Sequence, residues 1–174
     1  RAIREQDTPA AKASATYLLA NGFSSRDQSR SLLSVIKLND QKTLESLLAI
    51  GFEMPPFTQV IYGGYLSEKW YTYYKENHLL ESVSDFDLLK AAVRRPKSDE
   101  LLLLLKLGID VNTTSEEGSY TILHILAESP RHDMIAVVLE KGGDPRAKTS
   151  QGALPVDFAK KISWIPSIVL LDVD

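Results

Sequence analysis

The sequence contains no cysteine. Disulfides and thiolate metal sites are therefore excluded, while the compartment stays open, periplasm or cytoplasm if the protein is bacterial. Its three histidines are His78, His124 and His132, and no two of them stand four residues apart around a glutamate, so no helical zinc site is expected. Neither sign of charge dominates: 20 Lys and Arg face 23 Asp and Glu, a net charge of −3 that leaves no nucleic-acid footprint. Long apolar runs are missing too. Leu101–Leu105 and Ile168–Leu171 are the longest, far below the roughly 18 residues that span a bilayer, so a soluble chain with no membrane span is expected. No G-x-S-x-G elbow occurs, and Gly63-Gly64 is not followed by the Lys-Ser/Thr of a phosphate loop. No catalytic, cofactor-binding or metal-ligating residues are expected, and no cofactor. A first residue of Arg1 rather than Met fits a processed chain or a piece of a longer one.

What is present is a repeated frame. Leu101, Leu104 and Leu105 share one helix face, with Gly108 just past the helix end. Glycine suits that place because a left-handed helix terminus carries no penalty without a Cβ. Ile135, Val138, Leu139 and Gly142 repeat the frame, as do Leu44, Leu47, Leu48 and Gly51, and more weakly Ala15, Leu18, Leu19 and Gly22. Four matches in one frame make an internal repeat.

In chain order the predicted helices are Ala10–Ala20, Ser29–Leu38, Gln41–Ile50 capped by Asp40, Ser67–Leu80 capped by Ser67, and Phe86–Arg95. A helix from near Ser98, then Tyr120–Glu128, Asp133–Lys141, one opened by Pro155 and a last one opened by Pro166 complete the series. The fold class expected is all-α: a single domain over 1–174, a helix-pair solenoid of about five units (1–24, 25–53, 85–114, 115–148 and 149–174). Residues 53–84 break the period and are read as an insertion, with Gly63-Gly64 as a hinge. Five of the seven tyrosines fall between 62 and 74. Helical spacing from Ser67 makes Trp70 and Tyr74 core residues and leaves Tyr62, Tyr65 and Tyr71 more exposed, as a partner-binding aromatic surface.

The residues 121–144 resemble the ankyrin repeat. Thr121-Ile122-Leu123-His124 stands for T-P-L-H, Ile135 follows Leu123 by twelve, and Gly142-Gly143-Asp144 stands for G-A-D. Gly108-Ile109-Asp110-Val111-Asn112 matches G-A-D-V-N, and Gly152 to Ala159 matches the repeat's opening. Departures mark a divergent array: Ile122 replaces the proline, Gly118 stands one residue too far from Thr121, and Asp157 replaces the histidine. The resemblance implies that His124 hydrogen-bonds between repeats. It also implies a partner surface of first helices and loop tips, here Thr113, Thr114, Glu116, Glu117 and Lys148.

Arg94 and Arg95 add a short basic run that reads as a solvated helix end or an anionic-partner patch, while Asp85/Asp87 and Glu116/Glu117 read as helix caps and a solvated loop tip. The resulting expectation is a non-enzymatic module, monomeric when free, that grips one protein partner. A toxin or effector enzyme blocked by a bacterial inhibitor or immunity protein is its specific form. The alternative is the substrate-recruiting part of a larger secreted bacterial effector enzyme, and a small enzyme acting through Tyr71 is the weakest reading.

Overall fold

A computed structural model of the protein describes residues 24–95, 97 and 99–173, with isolated positions 13, 17, 20 and 22 before them. The expected first helix lies outside the described residues except at Ala13, Tyr17 and Ala20, and so do Pro96 and Ser98 at the expected helix junction. Every regular element among the described residues is a helix, which gives the all-α fold expected. The chain divides into two compact units, 1–66 and 67–174.

The first unit holds α1 (Ser25–Lys37), α2 (Gln41–Ala49) and α3 (Phe57–Gly63). Helix α1 starts four residues before the predicted Ser29, because Ser24 caps it by accepting the Asp27 N–H at 3.2 Å. Leu32 and Ile36 are its buried face. Asn39, left-handed at φ 55°, turns the chain, and Asp40 caps α2 through the Thr43 N–H at 3.1 Å. Helix α2 buries Leu44 and Leu47, and α1 packs on both α2 and α3. Helix α3 is a correction to the sequence reading. Its flanking Pro55-Pro56 and Gly63-Gly64 look like breakers, yet Phe57, Val60 and Ile61 between them form a buried helical stripe. Gly64 is the left-handed end of that helix at φ 72°, not a hinge.

The second unit holds α4 (Glu68–Glu76), α5 (Asp85–Val93), α6 (Asp99–Lys106), α7 (Ile122–Ala127), α8 (His132–Glu140), α9 (Pro155–Lys161) and α10 (Ile165–Leu171). The first helices α5, α7 and α9 pack in succession, each against its neighbour, and α8 packs on α10 beside them. This stacking gives helix pairs the shared core that none can form alone.

Helices α2, α4, α6 and α8 end alike, whereas α10 is capped by Asp172 at φ −82°. The left-handed residues are Gly51, His78, Gly108 and Gly142, at φ 98°, 57°, 91° and 87°. In each, that residue and the next donate back to carbonyls three and five residues earlier: Gly108 to Leu105 and Ile109 to Leu104, His78 to Lys75 and Leu79 to Tyr74. Aligned on that end, the buried pairs are Leu44/Leu47, Tyr71/Tyr74, Leu101/Leu104 and Ile135/Val138. The segment read as an insertion therefore keeps the frame in its second helix, with tyrosines for leucines and histidine for glycine. Helix α4 also stops at Glu76 rather than at the predicted Leu80. The next position of the frame, Leu48, Leu105 or Leu139, is half-buried in each.

Candidate protein-binding surface

Between successive pairs in the second unit the loops are tied by a recurring lattice of hydrogen bonds. Asn112 donates from Nδ2 to the Gly142 carbonyl at 2.9 Å and accepts the Asp144 N–H at 2.8 Å. The Ser150 N–H donates to the Gly118 carbonyl at 2.9 Å. Arg131 donates from Nη1 to the Arg95 carbonyl at 2.7 Å while its other guanidinium groups hold Asp133, which keeps that carboxyl below its ordinary pKa.

His124 is the buried member of this lattice. Its Nδ1 accepts the Thr121 N–H at 3.0 Å, so the proton sits on Nε2 and points at the Ala153 carbonyl, 3.3 Å away. Burial lowers its pKa, and the carbonyl bonds oppose that only in part. The inter-repeat histidine implied by the resemblance is present. Tyr120 and Phe158 meet its ring edge-on, with centroids 5.9 and 5.4 Å away.

Tyr120 also fixes the loop tip that bears Glu116 and Glu117. Its carbonyl accepts the Ser115 N–H at 2.9 Å, and its own N–H donates to Ser115 Oγ at 3.0 Å. Its ring lies so close over Gly118 that a Cβ there would overlap it. The extra residue between Gly118 and Thr121 is absorbed by two consecutive left-handed residues, Gly118 at φ 78° and Ser119 at φ 55°.

This tip and helix α5 bound a groove of about 330 Å³ lined by Ser84, Phe86, Asp87, Lys90, Ser115, Glu116, Glu117, Tyr120 and Ile125. Glu116 and Glu117 are exposed and form no ion pair among the described residues. Asp87 and Ser84 are hydrogen-bonded to each other, as a helix cap.

The residues predicted for partner contact are only partly brought together. Glu116 and Glu117 line the groove, while Thr113 and Thr114 precede the tip and Lys148 is exposed before the next one. Arg94 is exposed at the end of α5, whereas Arg95 turns to Glu100 at 3.4 Å. In the first unit Tyr62 is 42% exposed, and half-buried Tyr65 lies under Lys37 and against Gly63. Tyr71 corrects the expectation: it is 9% exposed, and burial followed by the Asp85 charge raises its phenol pKa. The helical wheel from Ser67 fails there because α4 buries two adjacent positions, Trp70 and Tyr71. Tyr71 borders a second cavity of about 580 Å³ with Lys75, His78, Glu81 and Asp85. Sequence reading missed Asp87, Lys90 and Tyr120 as surface partners of the acidic tip. Phe86 and Lys90, four apart on a first helix, were the available signal.

No family model matches the chain. It is 36% identical over 78 residues to the human 2-5A-dependent ribonuclease, covering 45% of this chain and 10% of that protein. It is 37% identical over 76 residues to a BTB/POZ domain and ankyrin repeat-containing protein of Lotus japonicus, covering 43% of this chain and 16% of that one. A human ankyrin repeat domain-containing protein is 27% identical over 85 residues, covering 49% of this chain and 23% of its own length. The chain thus spans less than a quarter of each of these relatives. No helix among the described residues is long and apolar enough to cross a membrane.

Proposed function

This chain carries divergent ankyrin repeats, and on that premise we propose that it is a non-enzymatic module that binds one protein partner. The observation that carries this reading is the groove between α5 and the 115–120 tip, whose wall is fixed in advance by Tyr120, His124 and Phe158. A rigid, concave surface loses little conformational freedom on binding. Thr113, Thr114, Glu116, Glu117 and Lys148 form its contact edge, and Arg94 adds a contact at the end of α5; in the first unit Tyr62 and Tyr65 are separate partner contacts. Binding acts by occlusion or tethering. In its specific form the chain is a monomeric inhibitor, an immunity protein in a bacterial setting, that covers the active site of a toxin or other enzyme.

The test is an affinity pull-down from the native source with mass spectrometry, using wild type and a Glu116→Ala/Glu117→Ala variant of unchanged circular dichroism. One stoichiometric partner, captured by wild type and depleted by the variant, is expected. Equal capture by both would overturn the tip as the contact edge, and capture of nothing would overturn the module reading.

A second reading is favoured by the coverage of the relatives, one of which is named a ribonuclease. In it the chain is the recruiting segment of a longer effector enzyme. An immunoblot of the native source separates the two: a band near 19.4 kDa supports the stand-alone module, and a much larger band supports the longer protein.

A further inference from the structure

The geometry points to a basic, extended peptide segment as the occupant of the α5–tip groove, its arginine or lysine head held by the acidic lip and its alkyl stem laid on the aromatic floor. This rests on the protein-binding reading above and names the chemistry of the partner. The floor is apolar, formed by half-buried Tyr120 and Ile125 with buried Phe86 beneath them. The lip carries three carboxylates, Asp87, Glu116 and Glu117, against one lining cation, Lys90. Lys90 stands 5.9 Å from the Phe86 ring, and among the described residues no ion pair joins it to the lip. The groove lining thus keeps a net negative charge. A long cationic side chain matches both parts, because its methylene stem buries on aromatic surface while its head stays near carboxylates and water. An acidic segment would meet like charge along the lip, which disfavours it. The backbone bonds of Ser115, Gly118 and Tyr120 hold the two glutamates on a tip that is already ordered.

The adjoining tip has the opposite character. Arg146 and Lys148 are exposed there, with neutral Ser150 and Gln151 after them.

The probe is a displayed library of random dodecapeptides, selected on the wild-type chain. Enriched peptides are synthesised with a fluorescent label and titrated by anisotropy. Peptides rich in Arg or Lys are expected. Their affinity should fall about tenfold for an Asp87→Asn/Glu116→Gln/Glu117→Gln variant, fall with added salt, and rise about twofold for Lys90→Gln. Glu116, Glu117 and Lys90 make no ion pair among the described residues, so Glu116→Gln/Glu117→Gln and Lys90→Gln should match wild type in thermal midpoint. Asp87→Asn keeps an acceptor for the Ser84 hydroxyl, and its midpoint is checked first, with any fall attributed to the helix cap. Apolar or acidic peptides that bind wild type and variant alike would overturn this proposal and leave the protein-binding reading intact. Enrichment of no peptide at all would count against both.

Discussion

Helices α4 and α6 end in the same frame, one built from tyrosine and tryptophan and the other from leucine. Tyr71 and Tyr74 are buried where Leu101 and Leu104 are buried, and His78 takes the left-handed turn that Gly108 takes. The loops beyond the two helices differ. After α6 the loop is tied to its neighbour by both amide groups of Asn112. After α4, residues 77–82 form turns, where His78 Nδ1 lies 2.8 Å from Glu81 Oε1 in an exposed hydrogen-bonded contact. A large cavity borders those turns. The frame is thus set by backbone geometry and burial, and it holds with either tyrosine or leucine at its core positions.

The largest effects test the shared core. Tyr74→Ala is expected to cost about 3–5 kcal/mol and Leu104→Ala about 2–5 kcal/mol, by denaturant unfolding. A cost below about 1 kcal/mol for Tyr74→Ala alone would end the equivalence of the two helices. Leu139→Ala should cost less than Leu104→Ala, since Leu139 is half-buried and Val138 fills the core position.

The hydrogen-bond lattice is tested next. His124→Ala should cost about 2–3 kcal/mol, because it leaves the Thr121 N–H and the Ala153 carbonyl without that partner. Its pH signature has a definite sign. Burial lowers the folded pKa below the unfolded value of 6.5, so the unfolded chain binds the proton more readily. The stability held by neutral His124 is complete above 6.5 and is lost as pH falls through the folded value. Thermal midpoints at pH 7.5 and 5.5 should separate more for wild type than for His124→Gln, and equal separations would show that His124 is not the group responsible.

Asn112→Ala removes two loop-to-loop bonds and should cost about 1–2 kcal/mol. An unchanged unfolding midpoint would show that the lattice contributes specificity without stability. The smallest pair concerns the turns. Gly108→Ala should cost about 1 kcal/mol from backbone strain alone, since nothing lies within 4 Å of the added Cβ. His78→Gly should gain about 0.5 kcal/mol, with the exposed contact to Glu81 lost at little cost. If His78→Gly destabilises instead, the histidine side chain holds the turn.

The leucine repeats were legible in the sequence because each places a glycine just past its last apolar residues. Asp40 and Ser67 were readable as caps from their residue type before an apolar helical run, and His124 was readable through the T-I-L-H string. The α4 repeat hid behind its residue types. Tyrosine at a core position reads as surface, and a histidine in the glycine's place breaks the spacing on which the period was counted. Helix α3 hid between prolines and glycines, whose breaking tendency gave way to three buried apolar side chains. Of the candidate surface, the acidic pair was visible but its floor was not, because Phe86 and Tyr120 lie more than thirty residues apart and only the fold brings both to one groove.

The two consecutive left-handed residues at Gly118 and Ser119 have a broader consequence. They take up an added residue entirely within the tip, so Thr121 still opens α7 and His124 still reaches Ala153. The added residue thus changes the tip and leaves the start of the helix beneath it in place. Recognition and stability are thereby separated in this tip: its reach is set by the loop, and the core by the helices on either side.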